Sequence, residues 1–232
     1  MSFNLLRVFV LVMVVNFYGC SKDDAPTPTP EAPKVLPKVS IGTISSITKT
    51  TAIAQGSVLE EGNSPILKRG FVTHLTENPV LKSGKIHYVG TGVGSFEIAL
   101  RDLESGKAYF IRTFATTAKD TVYSEQKQFI TLSAPKMETI VLTEITAVSV
   151  KTGGNVIMDF GKEVTERGVC FSKTVENPTI ADTKLVHPEK GLGTYEILID
   201  KLTKNTEYYV RAYAINNQGV GYGEVIKFKT LE

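Results

Sequence analysis

The chain has 232 residues, with 26 Lys and Arg against 24 Asp and Glu, which gives a net charge of +2. This near balance argues against nucleic-acid binding, because a concentrated basic patch supplies most of the affinity in that class of protein. The sequence has two cysteines and no tryptophan. If Cys20 carries a lipid, Cys170 has no cysteine left with which to form a disulfide. We therefore expect no disulfide, and a stability that comes from apolar burial.

Residues 1–19 are typical of a secretory signal peptide. Arg7 precedes an uninterrupted apolar run at residues 8–15, and a short stretch then ends at Gly19-Cys20. Such a run is too short to span a membrane, which takes about 20 apolar residues. Because a cysteine follows Gly19, the segment resembles a bacterial lipoprotein signal, which implies that Cys20 becomes the lipidated first residue. The alternative is an ordinary signal peptide that is cut nearby and leaves Cys20 as a free thiol.

Residues 20–37 form a predicted stalk between the membrane anchor and the first domain. Lys22, Asp23 and Asp24 resemble the short signal by which some Gram-negative bacteria send lipoproteins to the outer face of the outer membrane. The alternative is a solvated, charged start to a linker. Five of the chain's ten prolines lie between Ser21 and Pro37. Proline-rich segments favour the extended polyproline helix, so this stalk could reach up to roughly 50 Å.

The rest of the chain is one module present twice. Residues 103–132 match residues 202–231 at an offset of 99, and Arg69-Gly70 matches Arg167-Gly168 at an offset of 98. A repeat this long is a whole domain rather than a solenoid unit of roughly 20–50 residues. We therefore predict module 1 at residues 38–132 and module 2 at residues 133–232. The short link Leu132-Ser133-Ala134-Pro135 predicts a semi-rigid joint between them.

Apolar residues in each module recur with a period of two, which is typical of half-buried antiparallel strands. No stretch shows a sustained period of 3.6. About seven short strands per module, without helices, predict an all-β protein of two tandem β-sandwiches. The residues expected on the inner faces are Phe96, Ile98 and Leu100 with Tyr195, Ile197 and Ile199, and Ala52, Ala54 and Val58 with Val148, Val150 and Val156.

Residues 202–214, LTKNTEYYVRAYA, resemble the E–F corner and F strand of a fibronectin type III domain, and residues 103–115 are a weaker copy. Residues 166–172 with Asn177-Pro178 resemble a bacterial variant of that domain found in surface lipoproteins. The resemblance implies two tandem fibronectin type III-like sandwiches of the immunoglobulin-like class. It also implies that Tyr109 and Tyr208 form tyrosine corners, each with its hydroxyl bonded to nearby backbone and its ring in the core. It leaves function open, because this sandwich serves adhesion, spacing and ligand binding alike.

Enzymatic function is not indicated. The histidines His74, His87 and His187 do not align between the modules, and no G-x-S-x-G, H-E-x-x-H or calcium-loop pattern occurs. Cys170 lies between Val169 and Phe171, which is typical of a small packed side chain rather than a nucleophile. We expect no catalytic residues, no metal site and no cofactor.

A candidate recognition stripe lies on the strand that carries each tyrosine corner. Alternation directs Val210, Ala212 and Ala214 inward with Tyr208. Aromatic and arginine side chains are suited to recognition by stacking and hydrogen bonding. The alternative is structural, with the rings packed over neighbouring strands and arginine lying across them. The stripe residues expected to face a ligand are Tyr209, Arg211 and Tyr213 in module 2 and Phe110, Arg112 and Phe114 in module 1.

A modification site is also suggested in module 1. Asp120-Thr121-Val122 resembles a short acceptor motif for O-glycosylation at Thr121 in some of these bacteria. A match of three residues also arises by chance.

The sequence as a whole predicts a non-catalytic lipoprotein of the outer membrane, anchored through the lipid on Cys20 and exposed at the cell surface. Its expected roles are adhesion, scaffolding, or capture of a protein or glycan polymer. The alternative is a structural spacer or an accessory subunit of an outer-membrane complex.

Overall fold

The structure is a computed structural model that describes residues 33–232. The signal peptide, Cys20, the Lys22–Asp24 signal and most of the stalk lie outside the described residues. Lys34–Glu232 forms one compact unit, and it contains every described strand and all the hydrophobic cores.

Module 1 is a sandwich of two antiparallel sheets. One sheet has three strands in the order β1–β2–β5, and the other has the order β4–β3–β6–β7, with β8 also paired to β6. Because β7 and β8 both pair with β6, they are two short pieces of one final strand, and the module corresponds to a sandwich of seven strands. The strands are β1 Lys38–Ser45, β2 Ala52–Glu60, β3 Lys68–His74, β4 Lys85–Gly90, β5 Gly94–Leu100, β6 Ala108–Thr116, β7 Thr121–Tyr123 and β8 Lys127–Ile130.

Module 2 repeats this topology, with sheets β13–β10–β9 and β12–β11–β14–β15, and with β16 paired to β14. The predicted fold class, two tandem all-β sandwiches, is confirmed. The strands are β9 Lys136–Thr139, β10 Val150–Met158, β11 Glu166–Ser172, β12 Thr183–Val186, β13 Gly193–Ile199, β14 Glu207–Asn216, β15 Gly219–Tyr222 and β16 Ile226–Lys229.

The cores lie between the two sheets of each module and hold the residues that alternation placed there. Phe96 and Leu100 are buried in module 1, and Tyr195 and Ile199 are buried in module 2. Ile98 and Ile197 pack against the same cores from partly exposed positions. Burial of this kind contributes roughly 25 cal/mol per Å² of apolar surface.

One inward assignment was wrong. Val148 is 53% exposed, and it precedes β10, which begins at Val150. It lies in a turn closed by Thr146, whose hydroxyl accepts from the Val148 N–H at 3.2 Å and from the Ser149 N–H at 2.9 Å. The period of two therefore does not extend back through this turn.

Candidate functional site

The predicted stripe residues lie on β6 and β14, and the alternation along β14 is as expected. Val210, Ala212 and Ala214 face the core and are fully buried. The opposite face is not open, however, because Tyr213 and Phe114 are both 0% exposed. These two residues cannot face a ligand, so the expectation of six outward-facing side chains is corrected. Tyr209, Arg211, Phe110 and Arg112 are half-buried.

The cover over this face in module 2 is residues 173–182, here called the covering loop of module 2. Arg211 Nε donates to the carbonyl of Pro178, and its guanidinium carbon lies 3.9 Å from the centre of the Tyr222 ring. The Tyr222 hydroxyl accepts from the Ile180 N–H at 3.1 Å. Arg211 and Tyr222 therefore hold this loop against the sheet.

Module 1 has the same arrangement with one changed partner. Its covering loop is residues 75–84, and the Tyr123 hydroxyl accepts from the Leu81 N–H at 3.1 Å. The Arg112 guanidinium lies 4.8 Å from the centre of the Tyr123 ring. Arg112 Nε donates to the Ser124 carbonyl at 2.8 Å rather than to the loop. In both modules the arginine therefore lies across an aromatic ring, as expected from the structural role rather than from a role in ligand recognition.

The two buried stripe residues are fixed by neighbouring strands. The Tyr213 hydroxyl donates to Glu166 Oε1 at 2.7 Å, and Lys184 Nζ lies 2.7 Å from the same oxygen. The Lys184 hydrogen bond, followed by that of Tyr213, lowers the pKa of Glu166. Burial, together with the Glu166 carboxylate, raises the pKa of Tyr213. Phe114 packs edge-on against Tyr88, with ring centres 5.9 Å apart.

Tyr109 and Tyr208 have the geometry of tyrosine corners. The Tyr109 hydroxyl accepts from the Glu104 N–H at 2.9 Å, and the Tyr208 hydroxyl accepts from the Thr203 N–H at 3.0 Å. Each bond closes the turn five residues upstream. Both rings are buried and stack on a phenylalanine, Phe129 in module 1 and Phe228 in module 2.

Arg69 and Arg167 are an equivalent pair that the sequence patterns did not single out, partly buried in module 1 and buried in module 2. Arg167 is 3% exposed and donates to the carbonyls of residues 191, 192 and 193 at 3.0–3.4 Å. Arg69 donates to the carbonyls of residues 92, 93 and 94 at 2.7–3.2 Å. Each guanidinium lies within 5 Å of an aromatic ring centre, 4.7 Å for Phe96 and 4.9 Å for Tyr195.

These arginines fix the turn that precedes β5 or β13. Each turn presents one aliphatic side chain to solvent, Val93 at 54% and Leu192 at 53% exposure. The signal for them was in the sequence, since an Arg-Gly pair occupies the same place near the start of the strand in both copies.

Burial shifts the pKa of a histidine and of a thiol among the described residues. Burial, reinforced by Lys85, lowers the pKa of His87 to about 4, and its Nε2 lies 3.0 Å from the Thr73 hydroxyl. Burial raises the pKa of the Cys170 thiol, whose sulfur lies 3.2 Å from the Pro178 carbonyl oxygen. Within residues 33–232, no three His, Cys, Asp or Glu side chains come together as metal ligands.

Thr121 begins β7 and is exposed. Its hydroxyl lies 3.1 Å from that of Thr116, and the neighbouring Asp120 pairs with Lys34 at 2.6 Å. The side chain is therefore accessible to a modifying enzyme, and glycosylation at Thr121 stays a prediction.

Within residues 33–232, the outer faces of the three-stranded sheets carry exposed polar side chains. In module 1 the pairing register aligns Ser40 with Ser57 and Ser57 with Ser95, one serine from each strand. Gln55 and Glu97 form the next row, with 3.3 Å between the amide nitrogen and a carboxylate oxygen. These side chains line an open groove of about 450 Å³. In module 2 the same face carries Lys151 and Glu196, whose charged atoms are 2.9 Å apart.

The fold and topology define a tandem of fibronectin type III-like sandwiches. Across the described residues, no helix is long and apolar enough to cross a membrane. No family model matches the chain, and a search of curated proteins gave no match.

Among solved structures, the chain is similar to the FN1–FN3 domains of chicken CNTN1, with 16% identity over 85% of this chain and a TM-score of 0.48. It spans 66% of that structure's chain. It is also similar to the sensor domain of the anti-sigma factor RsgI4 of Pseudobacteroides cellulosolvens. That match has 18% identity and a TM-score of 0.34, over 41% of this chain and 93% of the other.

Proposed function

We propose that the chain is a non-catalytic lipoprotein, held in the outer membrane by a lipid on Cys20 and exposed at the cell surface. Its two sandwiches act in adhesion, in scaffolding, or in capture of a protein or glycan polymer. The observation that supports the proposal is which outer sheet faces are covered by a loop and which are open to solvent. Among residues 33–232, the outer face of each five-stranded sheet is covered by the module's own loop, whereas the outer faces of the three-stranded sheets carry exposed polar and charged side chains beside a few aliphatic ones.

The point of chain entry supports the same arrangement. The Val35 N–H donates to Asn63 Oδ1 at 2.7 Å, and Lys34 pairs with Asp120, so the chain enters module 1 between two of its loops. Because the chain enters at loops rather than at a sheet face, the open strands of module 1 stay accessible to an extended polymer.

Hydrogen-bonding groups line the open face of module 1. Hydroxyl, amide and carboxylate groups there suit a ligand rich in hydroxyl or peptide groups. A screen of the soluble Lys34–Glu232 unit on glycan and protein arrays tests this capture role. Glu97→Ala should weaken any specific binding, while Glu196→Ala, at the equivalent position of module 2, should not. Binding that survives Glu97→Ala and is lost in Glu196→Ala would place the site on module 2 instead.

If neither the glycan array nor the protein array shows specific binding, the result would favour the alternative, a spacer or an accessory subunit of an outer-membrane complex. Crosslinking in intact cells, followed by purification of the chain, then identifies the neighbouring subunit.

The anchor is tested separately. A lipoprotein cysteine carries two or three acyl chains, and each buried methylene contributes roughly 0.8 kcal/mol, which makes two chains enough for stable anchoring. Cys20→Ala should release the protein from membranes or leave it unprocessed. A variant that still fractionates with membranes as the parent does would show that the lipid is not the anchor.

A further inference from the structure

The link between the modules is bonded from both sides. In module 1, the Leu132 N–H donates to the Thr48 carbonyl at 3.0 Å, and the Ser105 hydroxyl donates to the Leu132 carbonyl at 2.7 Å. In module 2, Asn216 Nδ2 donates to the Ser133 carbonyl at 3.0 Å. Two successive residues of the link are therefore held by different modules.

Asn216 ties three segments together. It is 3% exposed, and its amide nitrogen donates to the Asp159 carbonyl at 3.1 Å as well as to Ser133. Its Oδ1 accepts from the Gln218 N–H at 2.8 Å. Gln218 is in turn bonded to module 1, because Lys49 Nζ donates to its carbonyl at 2.6 Å. A single side chain thus connects the link with two loops of module 2.

Phe160 reaches the joint from a strained backbone. Its φ is 55°, in the left-handed region that residues with a side chain larger than glycine rarely adopt. The ring faces Gly106 of module 1 so closely that a Cβ added to Gly106 would lie 3.3 Å from it. With Met158 it also lines an apolar cleft of about 530 Å³, whose opposite wall includes Ile47 and Leu132 of module 1.

The same two positions in module 1 have different residues and make no such contacts. Position 160 corresponds to Gly62, which also has a left-handed φ, of 75°, and position 216 corresponds to Thr117. The Thr117 hydroxyl accepts from the N–H groups of Lys119 and Asp120 in its own loop. Neither turn therefore needs a phenylalanine or an asparagine in order to fold.

We propose that Asn216 and Phe160 form a lock that holds the two modules in one fixed orientation. The strain at Phe160 is retained for its contact with module 1, and the two amide hydrogen bonds of Asn216 fix the link. Lys34–Glu232 is then a single rigid body rather than two domains on a hinge. This inference goes beyond the proposed function and does not depend on the lipid anchor.

The test measures distances between the modules by pulsed electron–electron double resonance on Lys34–Glu232. This segment forms one compact unit and lacks Cys20. Spin labels are placed on Ser95→Cys and Thr194→Cys, equivalent exposed positions on the outer faces of β5 and β13. The remaining thiol, Cys170, is buried. The parent should give one narrow distance peak. The pair Phe160→Gly and Asn216→Thr, which installs the residues of module 1, should lose that peak and give a broad distribution.

The substitutions also separate a lock from a general loss of stability. Phe160→Gly relieves the left-handed strain, so the melting temperature of module 2 should stay level or rise while the distance peak is lost. Asn217→Thr is the matched control, because Asn217 is exposed and its side chain accepts only from Gln218 Nε2. The control should keep the narrow peak. A broad distribution in the parent, a narrow one in the double variant, or a broad one in Asn217→Thr would each overturn the proposal.

Discussion

Tyr109 and Tyr208 show how one hydroxyl can stabilise a whole corner of a sandwich. Each accepts from a backbone N–H five residues upstream and stacks its ring on a core phenylalanine. The turn and the core are thus joined through a single side chain.

Removing the Tyr208 hydroxyl should cost on the order of 0.5–1.5 kcal/mol of unfolding free energy in Tyr208→Phe, because the Thr203 N–H loses its partner. Tyr208→Ala should cost about 3–5 kcal/mol, because it also empties an aromatic site in the core. Denaturant unfolding of the Lys34–Glu232 unit measures both. Tyr109 should behave alike in module 1. Equal stability of the parent and Tyr208→Ala would contradict the role of this residue.

Thr113 presents the opposite case, a polar group in the core that is not satisfied. Its hydroxyl is buried and has no hydrogen-bond partner among residues 33–232. An unsatisfied buried hydroxyl costs roughly 1–3 kcal/mol. Thr113→Val should therefore stabilise module 1 by about 1 kcal/mol, since valine keeps the shape and removes the hydroxyl. Thr113→Ser keeps the hydroxyl and should destabilise it. A lower melting temperature for Thr113→Val would show that the hydroxyl is satisfied after all.

The covering loops are the elements that decide which surfaces are available. Each loop packs on the outer face of a five-stranded sheet and is held by a tyrosine from the last strand, Tyr123 or Tyr222. This packing explains why Val72 and Cys170, which face outward from their strands, are fully buried.

Tyr222→Phe should loosen the covering loop of module 2 without unfolding the module. The lost hydrogen bond is worth about 0.5–1.5 kcal/mol, so amide exchange in residues 173–182 should speed up by about 2- to 10-fold. Hydrogen-exchange mass spectrometry measures this change. The loop of module 1, residues 75–84, serves as an internal control, and Tyr123→Phe should reverse the pattern. Unchanged exchange in both variants would mean that the tyrosines do not hold the loops.

At the scale of the whole molecule, the proposal depends on where the modules are placed. If Cys20 carries a lipid as proposed, Lys22, Asp23 and Asp24 lie between that lipid and the prolines of the stalk, where an export apparatus could read them. Replacing all three with alanine should leave stability unchanged and alter only the location.

Brief protease treatment of intact cells tests this prediction. The parent should be cut, most readily in the proline-rich segment that the sequence predicts to be a stalk. The triple alanine variant should be protected until the outer membrane is broken. Protection of the parent on sealed cells would indicate a lipoprotein that faces the periplasm. Adhesion and capture would then be excluded, and the spacer or subunit role would lead.

The sequence by itself determined the repeat and the strand alternation, whereas the tyrosine corners were implied by the resemblance to a fibronectin type III domain. These are local features, since a period of two states which side chains share a face and an offset of 99 aligns equivalent residues. For Tyr209, Arg211 and Tyr213, the sequence is compatible with both ligand recognition and a structural cover. It does not distinguish these two roles, because they differ in whether the covering loop at residues 173–182, about 30 residues away, packs on the stripe.

Only the tertiary structure decided what covers each face. Pro178 reaches Arg211 across the sheet, and Tyr213 is buried by contacts with Glu166 and Lys184 from two other strands. The joint between the modules is another such case, since the Phe160 ring packs beside Gly106 of the other module. Contacts between residues far apart in sequence follow from packing and register, and no local pattern encodes them.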